Sequence, residues 1–181
     1  LTTAQLPEHR PAPHAPAELA AMISIDVADV CPEGLPAQMV SCGLPYYIVP
    51  VRSLDAVRRA ALDSSIWRRL LHGTWAHHVY VICMDAEGEG VDVRVRMFAP
   101  GSGVPEDPAT GSAAAALGGY LAALDGRGQG TLRWVAEQGI EMGRPSLLHV
   151  EADRAGGATT AIRVGGHAVH VSEGTMIVPG A

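Results

Sequence analysis

The feature that most constrains the fold is a run of small, apolar residues at 113–124, AAAALGGYLAAL. The run has no charged stripe, so a helix formed by it must be enclosed on every side by other parts of the protein. Because most of its side chains are small, neighbouring elements can approach the helix backbone closely. The run therefore predicts a central helix that passes through a curled sheet.

Two segments before this run have the properties of paired strands. Residues 79–84 have the composition of a buried strand, and apolar residues alternate with polar ones at 91–98. A turn-like EGEG sequence at 87–90 separates the two segments. They therefore predict a hairpin with one solvent-exposed face.

Other segments complete the predicted fold. Pro16 fixes the backbone where a helix can begin, and Ser53 and Asp63 are residue types that cap helices. We expect short helices at 17–23, from 54 and from 63 to 71, a bent strand at 40–51, and further strands at 131–135, 146–151, 159–164 and 168–171. Strands around an enclosed helix predict an α+β fold, with a curled, barrel-like antiparallel sheet around the central helix.

The first 15 residues differ from the rest of the chain. The sequence opens at Leu1 rather than at a Met, and prolines stand at positions 7, 11, 13 and 16. Proline-rich segments of this kind are typical of linkers. We predict that residues 1–15 are the end of a preceding domain and a Pro-rich linker, and that residues 16–181 form one C-terminal domain.

Charge and cysteine content disfavour several classes of protein. The formal net charge is −6 and the basic residues form no run, so nucleic acid is not an expected partner. No apolar run reaches the roughly 20 residues that a membrane helix needs, so no membrane contact is expected. Three widely spaced cysteines without a CxxC pair predict a cytoplasmic protein whose thiols pack as small apolar groups.

The segment of greatest chemical interest is 101–112, GSGVPEDPATGS, directly before the predicted central helix. A glycine-rich loop that ends at a helix start leaves several backbone N–H groups unpaired, and the helix dipole adds a positive potential there. Both properties favour binding of a carboxylate or a phosphate. Glu106 and Asp107 lie beside this site and are candidates for proton transfer. The alternative is a purely structural turn, with Ser112 as an N-cap and Asp107 as a turn residue.

Other candidate catalytic or ligand-binding motifs in the sequence are weak. No Lys follows the glycines, as a P-loop requires, and Ser102 between two glycines does not match a nucleophile elbow. Arg144 precedes a Pro-Ser turn; we interpret it as the partner of a nearby carboxylate, with binding of a substrate anion as the alternative. No metal site is expected, because the histidines do not have the spacing of metal ligands. Surface or strand-edge positions explain five of them, which are His72, His77, His78, His167 and His170.

Three segments resemble a known family. Residues 96–113, RMFAPGSGVPEDPATGSA, look very like the signature of the phenazine-biosynthesis isomerase (PhzF-like) family, an Arg-x-Phe-x-Pro lead followed by a glycine and Glu-Asp-Pro-Ala-Thr-Gly-Ser-Ala. Residues 137–146, EQGIEMGRPS, are similar to the family's downstream Gln-Gly and Gly-Arg-Pro-Ser segment, and a weaker match lies within 41–51. The resemblance covers essentially all of this chain, but only the C-terminal part of a complete member.

The resemblance implies a fold like that of diaminopimelate epimerase, in which two similar domains face each other across the active-site cleft. Each domain is a curled sheet around a central helix. The resemblance also implies proton transfer between carbons of a small carboxylate, without metal or organic cofactor. Carried over to this sequence, Asp107 is the catalytic residue, and Gly103, Thr110, Gly111 and Ser112 bind the substrate.

The sequence departs from related enzymes in two ways. Related two-thiol racemases have a Cys just before a Gly-Thr-Gly, where this chain has Pro108, so racemisation by a cysteine pair is not expected. In the resembling family the main acid/base is a glutamate on the first domain, and nothing in this chain resembles that domain.

These observations predict the C-terminal half of a cofactor-independent isomerase. A complementary N-terminal domain, on the same chain or a separate one, would complete its active site. The alternative is a non-catalytic module that binds a small carboxylate or serves in assembly. Half of a two-domain protein exposes the apolar face that normally meets its partner, so we also expect a homo- or hetero-oligomer such as a dimer.

Overall fold

A computed structural model of the chain describes residues 1–177. Within these residues, no helix is long and apolar enough to cross a membrane. The strands are β1 (Glu8–Pro11), β2 (Gln38–Ser41), β3 (Pro45–Pro50), β4 (His78–Cys83), β5 (Val93–Ala99), β6 (Val104–Asp107), β7 (Gly130–Gln138), β8 (Ser146–Ala155) and β9 (Ala158–Gly165). The α-helices are α1 (Pro16–Met22), α2 (Leu54–Arg59), α3 (Ser64–Leu70) and α4 (Gly111–Leu124), and Val27–Asp29 and Pro100–Ser102 are short 3-10 helices.

All strands belong to one sheet, in the order β1-β2-β3-β4-β5-β7-β8-β9, with β6 also paired to β5. Most neighbours are antiparallel, as predicted, whereas β3–β4 and β5–β7 run parallel. The parallel pairs follow from the connections, because α2 and α3 separate β3 from β4 and α4 separates β5 from β7, and such crossovers return the chain to the same end of a sheet. The predicted α+β fold, a curled sheet packed around a central helix, is confirmed.

Helix α4 is enclosed as its composition predicts. Residues 113–122 are all buried, and the helix contacts β2, β3, β7, β8 and β9. Two glycines permit this enclosure, since a Cβ on Gly118 would lie 2.6 Å from Cγ1 of Val150 and one on Gly119 would lie 2.7 Å from Cβ of Pro7. The small residues of the run therefore set how closely the sheet can curl around the helix.

The sheet carries a hydrophobic core on each face. Tyr46 and Tyr80 point to the α4 face, whereas Tyr47 and Val81, one position further along the same strands, pack with residues of α1, α2 and α3 on the other face. Trp67 of α3 belongs to this second core. Strands buried on both faces read as continuous apolar runs. The predicted helix caps are also confirmed, because the side chains of Ser53 and Asp63 accept main-chain hydrogen bonds at the starts of α2 and α3.

The prediction that the β4–β5 hairpin has one solvent-exposed face is wrong. Every residue of β5 is buried, including Arg94 and Arg96. Arg94 pairs with three carboxylates, of which that of Glu137 lies at 2.7 Å, and Arg96 pairs with Glu106 and donates to the main-chain oxygen of Val57. An arginine that is paired inside the protein alternates with apolar residues just as a solvated one does, so the pattern does not distinguish them.

The N-terminal segment joins the sheet. β1 pairs with β2 at one edge, and Thr2 forms a bridge with Arg163 of β9 at the other. The N–H of Val164 donates to the carbonyl oxygen of Leu1 at 2.9 Å. Residues 1–11 thus pair with β2 and contact β9, and they cover backbone groups of these two strands that would otherwise be exposed. The division of the chain at residue 15 stays a prediction.

Two strand predictions need correction. The single bent strand expected at 40–51 is a hairpin, because the chain turns at Gly43 from β2 into β3. The strand expected at 168–171 is absent, and Val169 and Val171 are 83% and 87% exposed. The outer edge of β9 is occupied by residues 1–3, so that part of the sheet offers no partner to a further strand.

The enclosure of α4 predicts that a larger side chain at Gly118 destabilises the protein. We expect Gly118→Leu to lower the free energy of unfolding by about 1–3 kcal/mol, because the added carbons overlap the buried Val150. The exposed Ala123 of the same helix gives the matched control, Ala123→Leu, for which we expect a change within roughly 0.5 kcal/mol. Urea unfolding measures both, and equal effects would contradict the enclosure of α4.

Candidate active site

A cavity of about 220 Å³ lies beside β6, the strand that precedes α4. Pairing places its lining on one face of the sheet, since Tyr46 of β3 lies opposite His78 of β4, and Met97 of β5 lies opposite Asp107 of β6. The volume is below the roughly 300–1,000 Å³ of sites for drug-sized ligands, so the cavity suits a small molecule. Its lining includes Tyr46, His78, Met97, Ala99, Ser102 and Asp107.

The two acids of the EDP sequence point to opposite faces of β6, as neighbouring residues of a strand do. Both carboxylate oxygens of Glu106 accept hydrogen bonds from Arg96 at 2.8 Å. Glu106 is therefore engaged in a structural ion pair, beside a separate cavity of about 390 Å³. Asp107 lines the smaller cavity, and its Oδ2 accepts a hydrogen bond from the Thr110 hydroxyl.

The buried side chain of Gln138 fixes this arrangement. Its Nε2 donates to the carbonyl oxygen of Asp107 at 2.6 Å and to Oγ1 of Thr110 at 2.9 Å. Its Oε1 accepts from the Thr110 N–H and from the Tyr80 hydroxyl, both at 3.3 Å. A carbonyl oxygen can only accept, so the amide has one possible orientation. Thr110 Oγ1 accepts from Gln138, which leaves the Thr110 hydroxyl hydrogen for Asp107.

The start of α4 presents free donors beside this carboxyl group. Thr110 is the N-cap and donates its N–H to Gln138, so the structural alternative with Ser112 as the N-cap is wrong. Gly111 and Ser112 are the first helical residues, and within residues 1–177 their N–H groups have no protein partner. A Cβ added to Gly111 would meet no atom within 4 Å, so space for a ligand remains there.

Tyr46 and His78 line the cavity, although the sequence predicted neither as a site residue. The hydroxyl of Tyr46 lies 2.6 Å from Oγ of Ser112, and burial raises the pKa of Tyr46, so this group stays a neutral phenol near pH 7. The interpretation of His78 as a surface residue is wrong, because His78 is 6% exposed; it is the first residue of β4, at the end of the strand. The weak motif match has its two parts at 41–45 and 48–51, so Tyr46 lies between them and no sequence signal identified it, whereas the Gln-Gly match includes Gln138.

The predicted substrate-binding residues do not all meet. Thr110, Gly111 and Ser112 lie together at the helix start, next to Asp107. Gly103 instead ends the 3-10 helix with a φ of 73° and lines the larger cavity with Arg96. Its role in substrate binding stays a prediction.

Two other interpretations can be compared with the structure. Arg144 is exposed and pairs with no carboxylate of residues 1–177, so the predicted ion pair is wrong. The thiol of Cys42 lies near the start of α4 and contacts the carbonyl oxygen of Ala115, and burial raises the pKa of Cys42 to about 11. It therefore stays protonated near neutral pH, as expected for a thiol that packs as an apolar group.

No group of three His, Cys, Asp or Glu side chains in the described part of the chain is arranged to bind a metal ion.

These features define the class of the protein, an α+β domain in which a carboxyl group lines a small cavity and accepts a hydrogen bond from the N-cap of the central helix. Within this class, residues 1–174 match the model of the phenazine biosynthesis-like proteins, and the chain belongs to this family. The predicted relationship to the phenazine-biosynthesis isomerases is thus confirmed.

Several relatives are named as isomerases. The chain is 40% identical over 141 residues to an uncharacterized isomerase of Mesorhizobium japonicum, a match that covers 76% of this chain and 47% of that protein. It is 38% identical over 104 residues to the trans-2,3-dihydro-3-hydroxyanthranilate isomerase of Pseudomonas fluorescens, covering 56% of this chain and 36% of that protein. The chain therefore spans about half the length of these curated relatives, or less.

A solved structure has the same fold. The Bacillus anthracis phenazine biosynthesis protein of the PhzF family superposes with a TM-score of 0.83 at 26% identity. The match covers 93% of this chain and 57% of that chain.

The network around Gln138 predicts that its amide stabilises the protein and the site together. We expect Gln138→Leu to lower the free energy of unfolding by about 1–3 kcal/mol, because buried groups of Asp107, Thr110 and Tyr80 lose their partner. The exposed Gln129 gives the control, Gln129→Leu, which we expect to change stability by less than roughly 0.5 kcal/mol. Thermal or denaturant unfolding measures both, and an unchanged stability of Gln138→Leu would rule out a structural role of the amide.

Proposed function

We propose that this chain supplies one side of the active-site cleft of an isomerase, which moves a proton between carbons of a small carboxylate. A complementary domain supplies the other side. The observation that carries the proposal is the hydrogen-bonded chain from Gln138 through Thr110 to Asp107, which holds a carboxyl group beside the free N–H groups of a helix start. The isomerase names of the relatives support the reaction class.

The helix start binds the substrate carboxylate in this proposal. The N–H groups of Gly111 and Ser112 and the hydroxyl of Ser112 are the donors, and the helix dipole favours an anion there. When a proton leaves a carbon that is conjugated with the carboxylate, the new negative charge spreads onto the carboxylate oxygens. Donors already aimed at those oxygens bind this state more strongly than the ground state and so lower the barrier.

Asp107 carries the proton on this side of the cleft. Its Oδ2 accepts a hydrogen bond from Thr110, while Oδ1 has no hydrogen-bond partner within residues 1–177. Asp107 lines the cavity. A base takes a proton from one carbon of the substrate and an acid returns a proton to another carbon, so the composition of the molecule does not change. Asp107 takes one of these parts, and an acid/base of the complementary domain takes the other.

The alternative, a module that binds a small carboxylate without converting it, uses the same donors. It is favoured by one observation, that Asp107 is the one carboxylate among the residues that line the cavity, whereas moving a proton between carbons needs both a base and an acid. The two proposals differ in whether bound ligand exchanges hydrogen with the solvent.

The proposal predicts that Asp107→Asn retains ligand binding and loses proton transfer. The intact protein is incubated in D₂O with the compound that names the Pseudomonas fluorescens relative, trans-2,3-dihydro-3-hydroxyanthranilate. Deuterium uptake should fall by roughly 100-fold or more in Asp107→Asn, while affinity changes only a few-fold, since the amide keeps the shape but not the titrating proton. Asp85→Asn, at an exposed position outside the site, is the control with unchanged uptake.

Full deuterium uptake by Asp107→Asn would show that Asp107 is part of a binding loop only. Binding by the unmodified protein without any uptake would support the non-catalytic module.

A further inference from the structure

Tyr46 is the residue that joins the cavity to the start of α4. It lines the cavity, and its hydroxyl oxygen lies 2.6 Å from Oγ of Ser112, the second residue of the helix. Tyr46 is buried, with 1% of the residue exposed, whereas Ser112 is exposed. The contact therefore links a buried group of the sheet to a residue that a ligand can reach.

Packing within the sheet fixes the position of the Tyr46 hydroxyl oxygen. Tyr46 lies on β3, opposite Val40 of β2 on one side and His78 of β4 on the other. Its ring centroid is 5.6 Å from that of His78 and 6.2 Å from that of Tyr80. A ring enclosed in a close-packed core keeps one orientation. Only the hydroxyl hydrogen of Tyr46 can therefore turn, by rotation about the bond between the ring and the oxygen.

The contact between the two hydroxyls has two possible directions, and their chemistry selects one. A phenol is more acidic than an aliphatic alcohol, and its oxygen shares electron density with the ring, so it is the better donor and the weaker acceptor. Burial raises the pKa of Tyr46, so the phenol keeps its hydrogen near pH 7. Tyr46 therefore donates to Oγ of Ser112, and the hydroxyl hydrogen of Ser112 stays available for another acceptor.

The same order of donors occurs at the N-cap of α4. Nε2 of Gln138 donates to Oγ1 of Thr110, and the Thr110 hydroxyl donates to Asp107. In both places a buried side chain of the sheet donates to a hydroxyl at the helix start, which is then left to donate further. At Thr110 the acceptor is a carboxylate of the protein. The hydroxyl of Ser112 has no partner other than Tyr46 within residues 1–177, so its acceptor can be a ligand.

An oriented hydroxyl binds an anion better than a freely rotating one. A free hydroxyl loses rotational freedom when a ligand binds, whereas one held by a neighbouring donor has lost that freedom in the folded protein. Hydrogen bonds in a chain also polarise one another, so a donor behind Ser112 strengthens the bond that Ser112 makes in front. Both effects act on affinity through Ser112 and need no contact between Tyr46 and the ligand.

We propose that Tyr46 is a positioning residue of the site, whose hydroxyl donates to Ser112 and so directs the Ser112 hydroxyl at the carboxylate of a ligand at the start of α4. This inference rests on the proposed carboxylate site. It is separable from that site, because the backbone N–H groups of Gly111 and Ser112 can bind a carboxylate without Tyr46.

A double-mutant cycle tests the inference, with benzoate as the probe in calorimetric titrations of the intact protein at pH 7. Tyr46→Phe keeps the ring and removes the hydroxyl, and we expect it to weaken benzoate binding by roughly 3- to 10-fold, as for one lost neutral hydrogen bond. Ser112→Ala should weaken binding by at least the same factor. In the Ser112→Ala background Tyr46→Phe should have no further effect, because Tyr46 acts only through Ser112.

Tyr47 provides the matched control. It is the next residue of β3, it is buried in the core on the other face of the sheet, and its hydroxyl oxygen lies 3.1 Å from Nδ1 of His14. Tyr47→Phe removes a hydrogen-bonded phenol hydroxyl from the same strand without touching the helix start. Urea unfolding should show similar losses of stability in Tyr46→Phe and Tyr47→Phe, whereas only Tyr46→Phe should weaken benzoate binding.

The inference can fail in three ways that leave the carboxylate site in place. Unchanged benzoate affinity in Tyr46→Phe or in Ser112→Ala would limit the contact to a structural role. Tighter binding in Tyr46→Phe would show that Ser112 donates to Tyr46, the reverse of the inferred direction. Additive losses in the double variant would show that Tyr46 acts on the ligand without Ser112. If the unmodified protein does not bind benzoate, the carboxylate site is refuted, and the inference with it.

Discussion

The side-chain amide of Gln138 makes four hydrogen bonds inside the protein, and the candidate site depends on them. The amide is fully buried at the end of β7 and joins the last residue of β6, the N-cap of α4 and Tyr80 of β4. All its donors and acceptors are satisfied, so the network is rigid and favours one arrangement. Through Thr110 it orients the carboxyl group of Asp107 toward the cavity side of β6.

The fold places the end of β7 where the side-chain amide of Gln138 can reach these partners. Glu137, the residue before Gln138, pairs with the buried Arg94 of β5 on the opposite face, so both neighbouring side chains of β7 are fixed by contacts. Gly139 follows with a φ of 80°, and a Cβ there would lie 2.3 Å from the carbonyl oxygen of Arg144 and 2.7 Å from that of Pro108. Only a glycine permits this approach of the β7 end to the loop before α4. The Gln-Gly sequence is thus explained by two independent contacts.

The sequence predicted the features that local patterns encode. The enclosed helix α4, the short capped helices and the candidate loop at 101–112 follow from composition, caps and glycine spacing, and a resemblance identified Asp107. The contacts that complete the site join distant parts of the chain, since Gln138 binds Thr110 28 positions away and Tyr80 58 positions away. A periodic pattern within one segment of the sequence does not predict such a pairing. For the same reason the alternation in β5 predicted solvated arginines, although these side chains are buried by elements that lie elsewhere in the sequence. His78, predicted at the surface or at a strand edge because the histidines lack metal-ligand spacing, is buried as well.

The central claim is that the first N–H groups of α4 bind a carboxylate beside Asp107. Amide NMR spectra of the ¹⁵N-labelled protein during titration with benzoate test it most directly. We predict saturable shifts of the Gly111 and Ser112 amides with one common dissociation constant, and a smaller shift of Thr110, whose N–H already donates to Gln138. Gly111→Val should abolish the shifts, since its added carbons occupy the space at the helix start that the structure leaves open. Saturable shifts that leave Gly111 and Ser112 unchanged would contradict the account.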